Sequence, residues 1–195
     1  NKSVINEMQA SRKHYLLNDI NFNENISFFH EIDSAVNQAN VIVLAVPSQH
    51  IRAVITKAKK HIDPSVIIIN VAKGIENETL KIMSEVILDV TGSISNYVTL
   101  SGPSHAEEVV SNMPTAVVAA SKNIEASKIV QDLFSTNKFR VYTNEDLIGV
   151  EICGSAKNVI AIAAGFCDGF GYGDNTKSAL ITLGIKEVAR LGLKS

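Results

Sequence analysis

The stretch of sequence that decides the fold reads Val-Ile-Val-Leu-Ala-Val-Pro and spans residues 41–47. Its unbroken apolar run predicts a strand buried on both faces, which is typical of parallel sheets. Four further strands are predicted, at residues 66–71, 97–100, 115–120 and 139–143. Helical patterns separate them, at residues 50–60, 79–90 and 124–134. This alternation predicts an α/β fold with a doubly wound, mostly parallel sheet.

The first forty residues and the two ends of the chain carry weaker signals. A helix is predicted at residues 3–12. The polar stretch over residues 16–32 is typical of a loop, with one short strand near residues 26–28. The chain begins with Asn1 and stops within a predicted helix, so we expect it to be a piece of a longer protein.

The pattern changes near residue 144. From Asp146 to Phe166 the sequence is apolar on nearly all sides and rich in Gly, Ala and Ser, which predicts a helix buried among other helices. Another amphipathic helix is predicted at residues 176–191. We therefore expect an α/β domain over residues 1–143 and a helical domain over residues 144–195.

Composition and charge argue against several classes of partner. Apolar residues make up 46% of the chain and charged residues 19%, which is usual for a soluble protein. The net charge of −2 gives no reason to expect nucleic acid. No stretch approaches the roughly 20 apolar residues of a membrane-spanning helix. The five histidines show no metal-ligand spacing, so we predict no metal site.

The two cysteines, Cys153 and Cys167, fall in the same predicted helix. That places them about 21 Å apart along the helix axis. A disulfide needs Cα atoms within about 7 Å, so two reduced thiols are predicted. Reduced thiols favour a cytoplasmic protein.

Three polar segments follow predicted strands, where doubly wound sheets bind their ligands. They are Pro47–His50, Lys73–Gly74 and Gly102–Ser104. The third leads into a short helix, for which Ser104 and Glu107 have the spacing of a capping box. A helix N-terminus favours an anionic ligand, and Gly102 would give that ligand close access to the backbone. An ordinary turn followed by an ordinary cap explains the same residues, so both interpretations stay open.

Lys157 lies inside the apolar pattern of the predicted helix. Lysine is rarely fully buried without a partner or a function. Burial lowers the pKa of a lysine and lets it exchange a proton near neutral pH, which favours a role in acid–base catalysis. The alternative is a helix that is half exposed at this point, with the Lys157 side chain extending into solvent.

Residues 169–175 read Gly-Phe-Gly-Tyr-Gly-Asp-Asn. A dinucleotide-binding glycine loop follows a strand, whereas this segment follows a predicted helix. We therefore predict a tight turn between two helices, with Asn175 and Thr176 capping the second.

Several motifs carry a family resemblance: Val46–Ser48, Ala72–Glu76, Ser101–Glu108, Phe139–Tyr142, Gly149–Ala161 and Asp174–Lys177. In this order and spacing they resemble the NAD(P)-dependent glycerol-3-phosphate dehydrogenases over nearly the whole chain. The resemblance implies a partial, Rossmann-like dinucleotide-binding domain over residues 1–143 and a partial helical substrate domain over residues 144–195. It also implies that dihydroxyacetone phosphate and sn-glycerol 3-phosphate are interconverted by hydride transfer, with NAD or NADP as the cofactor. The sn-glycerol 3-phosphate would supply phospholipid synthesis.

The resemblance further implies roles for single residues. Lys157 is implied as the proton donor and acceptor, and Lys73 as a positive charge near the reacting oxygen. Contacts to the cofactor are implied for Lys73, Pro47, His50 and Ala106. Contacts to the substrate are implied for Lys73, Gly102, Ser104, Lys157 and Asn158.

Two parts of the family pattern are missing from the sequence. The glycine-rich pyrophosphate loop would precede Asn1, and the Arg-Asn motif that binds the substrate phosphate would follow Ser195. Preference for NAD or NADP stays open, because the deciding residues follow a strand expected to end about where the chain begins. A homodimer is common in the resembled family.

Two other interpretations remain. One is a related two-domain NAD(P)-dependent dehydrogenase that acts on another hydroxy acid or sugar acid. The other is a non-catalytic interaction module that retains the fold. Lys73 and Lys157 argue against the second, since a scaffold has no use for both lysines at these sites.

Overall fold

The computed structural model describes residues 2–14 and 20–193, and these contain a five-stranded sheet. The strands lie side by side in chain order: β1 (Val41–Leu44), β2 (Ile67–Asn70), β3 (Tyr97–Ser101), β4 (Thr115–Ala120) and β5 (Phe139–Asn144). All neighbouring strands are parallel except β3 and β4, which are antiparallel. The predicted mostly parallel sheet is confirmed. The carboxyl ends of β1, β2 and β3 meet at one edge, which we call the carboxyl edge.

Helices precede, connect and follow these strands. Before the sheet lie α1 (Lys2–Ser11) and α2 (Ile32–Val36). Between strands lie α3 (Ile51–Ala58), α4 (Met83–Thr91), α5 (Ala106–Val110) and α6 (Ile124–Phe134). After β5 come α7 (Leu147–Gly169) and α8 (Asp174–Gly192). One-turn 3-10 helices extend α3 at both ends, at Ser48–His50 and Lys59–His61.

Two apolar layers cover the sheet, one on each face. On the first face α3 and α4 bury side chains such as Ile55 and Val86. On the second face α6 buries Ala126 and Val130 against the strands. Full burial of a large aliphatic side chain contributes about 1.5–3 kcal/mol. Helix α7 starts on the first face, where Leu147 joins the first layer, and this places the rest of α7 beside the carboxyl edge.

The prediction for the first forty residues is only partly right. The helix predicted at residues 3–12 is confirmed as α1. The strand predicted near residues 26–28 is wrong, because that segment makes no β pairing. An isolated antiparallel bridge joins Lys13 and Asn21 instead. Residues 16–19 of the predicted loop lie outside the described residues.

The helix predicted at residues 79–90 begins only at Met83. The segment before it closes on itself, because Ile75 and Ile82 pair in an isolated antiparallel bridge. Leu80 lies within that loop at a positive φ of 57°, which a continuing helix does not allow. The apolar spacing of this segment therefore reflects a packed loop followed by a shorter helix.

Both predicted side-chain caps are wrong. Helix α5 is preceded by His105 rather than Ser104, and no side chain caps it. Helix α8 begins after Gly173, again without a side-chain cap, so Asn175 and Thr176 lie within its first turn. The turn that joins α7 to α8 is nevertheless where the sequence predicted it.

Helix α7 is not buried on all sides in the described chain. Its buried residues are Leu147, Glu151, Ile152, Gly154 and Cys167. Val159 is 67% exposed and Phe166 63% exposed, so the prediction of a fully buried helix is wrong here. The reason is that α7 packs mainly on α8 and β3 and leaves its other side uncovered. Both cysteines lie on α7 and are free, as predicted.

By length and composition alone, α7 is long and apolar enough to cross a membrane, so the prediction that no stretch approaches the length of a membrane-spanning helix is wrong. One such helix is weak evidence, because core helices of soluble proteins pass the same test. Lys157 lies near the middle of α7, where a lysine would be costly in a lipid bilayer. The expectation of no membrane span stays a prediction.

Candidate functional site

A cleft of about 1000 Å³ opens at the carboxyl edge, between the turn after β3 and the helices α7 and α8. Four predicted site residues line it: Lys73, Gly102, Ser104 and Lys157. The volume is at the upper end of the range for small-molecule sites. Among residues 2–14 and 20–193, no group of three His, Cys, Asp or Glu side chains could hold a metal ion.

Lys73 bridges the ends of β2 and β3. Its Nζ donates a hydrogen bond of 2.8 Å to the Gly102 carbonyl oxygen. Burial lowers the pKa of Lys73, and the nearby positive charge of Lys157 lowers it further. The two lysines therefore interact electrostatically within the cleft.

Removal of the Lys157 charge is expected to raise the pKa of Lys73. In Lys157→Met the pKa of Lys73 should move towards the ordinary lysine value without reaching it, because the larger cause, burial, remains. The measurement is the pH dependence of acylation at each lysine, quantified by peptide mass spectrometry. The exposed Lys186 on α8 serves as the internal reference. An unchanged pKa of Lys73 would show that the two ammonium groups do not interact.

The loop that carries Lys73 is fixed by the fully buried side chain of Asn70 at the end of β2. Asn70 donates a hydrogen bond to the Ala72 carbonyl at 2.9 Å and accepts one from the Ala72 N–H at 3.1 Å. Gly74 follows with a φ of +147°, which favours glycine. A Cβ at Gly74 would lie 2.5 Å from Ser48 Oγ, so the segments after β1 and β2 pack closely.

Further hydrogen bonds tie these two segments together. Gln49 donates to the Ile75 carbonyl at 2.8 Å and accepts from the Asn77 N–H at 3.0 Å. Arg52 donates two hydrogen bonds of 2.8 Å to the Glu76 carboxylate, which lowers the pKa of Glu76. Such a bidentate pair fixes both position and angle. The backbone around Lys73 is therefore held on the side of β1 as well as of β3.

A second cavity of about 550 Å³ lies beside the first and is lined by Ala106, Lys73 and Ser104. Lys73 and Ser104 therefore line both cavities. Pro47 and His50 are exposed after β1, and neither lines these two cavities. Their predicted contacts to a cofactor stay predictions.

Lys157 lies in the middle of α7 and is exposed, so its expected burial is wrong for the described chain. The alternative from the sequence, a side chain that extends from a half-exposed helix, describes it better. Its Nζ donates a hydrogen bond of 3.0 Å to Asn158 Oδ1. Asn158 is itself exposed and does not line the cleft, so it contacts the site through Lys157.

Gly154 brings α7 against the end of β3. A Cβ at this position would lie 2.9 Å from Ser101 Oγ and 3.8 Å from Lys73 Cγ. Helix α7 therefore touches both the strand end and the aliphatic stem of Lys73. This close approach places Lys157, one turn further along α7, in the same cleft as Lys73.

Gly102 lines the cleft and also lies directly against the backbone of β4. A Cβ at Gly102 would lie 2.8 Å from both the Ala116 carbonyl oxygen and Val117 Cα. These atoms belong to the backbone of β4, so the missing side chain makes room for a strand. The predicted contact of Gly102 to a substrate stays a prediction.

Comparison with known families identifies the family to which the chain belongs. A family model described as NAD-dependent glycerol-3-phosphate dehydrogenase N-terminus matches residues 1–127, and the C-terminus model matches residues 146–195. The chain belongs to the NAD-dependent glycerol-3-phosphate dehydrogenase family. Membership of this family confirms the resemblance inferred from the motifs.

Individual family members are similar in sequence to this chain over nearly its whole length. The glycerol-3-phosphate dehydrogenase (NAD(P)+) of Clostridium perfringens is 48% identical over 194 residues, which cover 99% of this chain and 58% of that protein. The Thermoanaerobacter enzyme of the same name is 46% identical over 192 residues, with 98% and 58% covered. The chain thus spans 58% of the length of these curated relatives.

Solved structures of the family share the fold. The crystal structure of glycerol-3-phosphate dehydrogenase from Coxiella burnetii superposes with a TM-score of 0.88 at 37% identity, covering 97% of this chain and 58% of that one. The Plasmodium falciparum glycerol-3-phosphate dehydrogenase gives a TM-score of 0.87 at 27% identity, with 95% and 52% covered. The arrangement of sheet and helices is therefore that of the family.

Sequence reasoning missed one buried acidic residue of this family member. Glu151 lies on α7 and is 6% exposed. Its carboxylate accepts hydrogen bonds from Ser84, Tyr97 and Thr99. The signal in the sequence was a glutamate within an otherwise apolar helix pattern, about 9 Å along the axis before Lys157.

Proposed function

We propose that this chain carries the reaction centre of an oxidoreductase that interconverts dihydroxyacetone phosphate and sn-glycerol 3-phosphate with NAD or NADP. The observation that carries the proposal is that Lys73 and Lys157 line one cleft in a chain of this family. The product would supply phospholipid synthesis. We assign the protein to the cytoplasm, because its two free cysteines suit a reducing compartment.

We assign residues 1–143 to dinucleotide binding and residues 144–195 to a helical substrate domain. In support, β5 ends at Asn144 and α7 begins at Leu147, so the assigned boundary lies one residue before the end of the last strand. As partners we propose the small-molecule substrate and a second copy in a homodimer, with no nucleic acid and no membrane span. The net charge of −2 supports the exclusion of nucleic acid.

The residues beside the carboxyl edge fit a nicotinamide dinucleotide. The 550 Å³ cavity offers apolar walls, the small side chain of Ala106 and the Lys73 cation at its rim. Pro47 and His50 follow β1, where doubly wound sheets bind their ligands. We assign cofactor contacts to these four residues. When bound, the cofactor donates or accepts the hydride.

The residues of the larger cleft would bind the substrate and move its proton. Lys157 protonates the carbonyl oxygen as it becomes an alkoxide, and takes the proton back in the reverse reaction. Lys73 adds a positive charge that stabilises the same oxygen. Asn158 orients Lys157 through its hydrogen bond to Nζ. Gly102 and Ser104 contact the substrate at the turn after β3. The two cations also attract an anionic phosphate ester.

The test is a substrate profile of the full-length protein with NADH and with NADPH. We expect kcat/KM for dihydroxyacetone phosphate to exceed that for unphosphorylated dihydroxyacetone, and for hydroxy-acid and sugar-acid substrates, by at least about 100-fold. Higher turnover of a hydroxy acid or sugar acid would assign the protein to a related dehydrogenase. Absence of turnover with every substrate would favour a non-catalytic module.

A further inference from the structure

Glu151 is the centre of a buried cluster of hydrogen bonds. Its carboxylate accepts from Ser84 Oγ at 2.6 Å, from the Ser84 N–H at 3.1 and 3.2 Å, from the Tyr97 hydroxyl at 2.6 Å and from the Thr99 hydroxyl at 2.7 Å. Every partner donates, which suits an ionised carboxylate, because that group only accepts. Among residues 2–14 and 20–193, no Lys, Arg or His forms an ion pair with Glu151.

The surroundings stabilise the negative charge in place of a counter-ion. Ser84 is the second residue of α4, so the carboxylate lies at the positive end of that helix dipole. Burial and the charge of Glu151 together raise the pKa of Tyr97 well above its ordinary value, so the hydroxyl keeps its proton and donates. Hydrogen bonds to a charged acceptor are stronger and more directional than neutral ones.

The cluster reaches the segments that carry both lysines. Along α7, Lys157 lies about 9 Å beyond Glu151. In the other direction, Thr99 of β3 is the register partner of Asn70 in β2, and the Asn70 side chain acts on the Tyr97 hydroxyl, whose pKa it lowers. Asn70 in turn holds both backbone groups of Ala72, the residue before Lys73. The hydrogen bonds of Glu151, the pairing of β3 with β2 and the hydrogen bonds of Asn70 therefore join the helix of Lys157 to the loop of Lys73.

Directional contacts to the sheet matter here, because the exposed Lys177–Asp168 ion pair joins α7 to α8 and not to a strand. Apolar burial is non-directional and by itself leaves a helix free to turn or shift along its axis. A rotation of α7 would move Gly154 away from Ser101 and the stem of Lys73. Hydrogen bonds from α4 and from two residues of β3 to one carboxylate resist both movements.

We propose that Glu151 is a positioning residue, which fixes α7 on β3 and α4 and thereby holds Lys157 opposite Lys73. Asn70 does the same for the loop of Lys73. This inference rests on the proposed function when it is tested by kcat, because kcat requires the proposed reaction. The pKa of Lys73 gives a second readout that does not depend on turnover.

The experiment compares Glu151→Gln with wild type in the full-length protein, alone and combined with Lys157→Ala. The amide brings two N–H donors into a set of donors, so the cluster loses part of its hydrogen bonding. We expect kcat to fall at least about tenfold in the wild-type background and by less than about twofold in the Lys157→Ala background. We also expect the pKa of Lys73, measured by acylation, to rise as α7 moves away.

Two further variants control for loss of stability. Asn123→Ala removes the cap of α6, where the Asn123 side chain accepts from the N–H groups of Glu125 and Ala126. It should destabilise the fold while leaving kcat and the pKa of Lys73 unchanged. If Glu151→Gln does not fold, Tyr97→Phe takes its place, because it removes one donor to Glu151 and keeps the aromatic ring. It should lower kcat about two- to fivefold in the wild-type background and by less in the Lys157→Ala background.

Each outcome decides the proposal. A kcat of Glu151→Gln within twofold of wild type, with an unchanged pKa of Lys73, overturns it. Equal losses of kcat with and without Lys157 also overturn it, because Glu151 would then act independently of that lysine. If Lys157→Ala alone retains full activity, the proposed acid–base role fails. The pKa of Lys73 in Glu151→Gln then decides positioning by itself: a rise supports it and an unchanged value overturns it.

Discussion

Replacement of Lys157 by alanine in the full-length protein is expected to lower kcat at least about 100-fold while the fold persists. A positioned general acid contributes roughly 10²–10⁴-fold to such a reaction. Within the described chain, the hydrogen bond that Lys157 loses goes to the exposed Asn158. Its removal therefore leaves no buried group without a partner, and the free energy of unfolding should change by less than about 0.5 kcal/mol.

Matched variants separate proton transfer from packing and charge. Lys157→Met keeps most of the side-chain volume and should lose as much kcat as Lys157→Ala. Added primary amines should restore part of the activity of Lys157→Ala, because the vacated space lies in the open cleft. Lys186→Ala removes an exposed lysine of α8 that does not line the cleft and should match wild type. Activity of Lys157→Ala within a fewfold of wild type would contradict the assignment.

Elements with local stabilisation were predictable from the sequence. Strand β4 and helix α6 have the predicted bounds at both ends. The start of α6 is fixed locally, since the Asn123 side chain accepts from the N–H groups of Glu125 and Ala126. Pro114 and Ser121 flank β4, and Asn123 and Ser135 flank α6, so each apolar pattern is interrupted where the element ends.

The start of α4 was not predictable, because a distant residue contributes to it. Locally, Glu85 accepts a hydrogen bond of 3.0 Å from the Ile82 N–H. The N–H of Ser84, in the first turn, donates to Glu151, 67 residues further along the chain. The spacing of apolar residues in a short stretch of sequence contains no information about such a distant partner. The helix predicted from that spacing therefore began too early, at residue 79.

The candidate site likewise contains features that the sequence predicted and features that it did not. The lysine at the end of β2 follows from the rule that parallel sheets bind ligands at their carboxyl edge, and Lys73 lines the cleft there. The exposure of Lys157 did not follow from its sequence, because an apolar pattern does not say which faces of α7 other elements cover. Glu151 was missed because its partners Tyr97 and Thr99 are more than fifty residues away in the chain.

The largest loss of stability is expected for Gly102→Val. A Cβ at this position would lie 2.8 Å from the Ala116 carbonyl oxygen and from Val117 Cα. Backbone atoms of a paired strand cannot turn aside as a flexible side chain does. Overpacking typically costs about 1–3 kcal/mol, and the two methyl groups of valine place this substitution at or above the upper end. We expect urea denaturation to show a loss of about 3 kcal/mol or more in the free energy of unfolding.

Two alanine variants identify the cause of that loss. Gly92 has a φ of +80° and no described atom within 4 Å of its Cβ position, so Gly92→Ala should cost only the left-handed conformation, about 1–2 kcal/mol. Gly102→Ala adds the clash with β4 without the branches of valine and should be less destabilising than Gly102→Val. A Gly102→Val protein that keeps its stability but has a raised KM would show that β4 shifts to make room for the valine side chain. Gly102 would then be needed for access of the substrate, as the sequence alone suggested. A large loss of stability instead assigns the glycine to the β3–β4 pair, the antiparallel junction that joins β4 and β5 to the rest of the sheet.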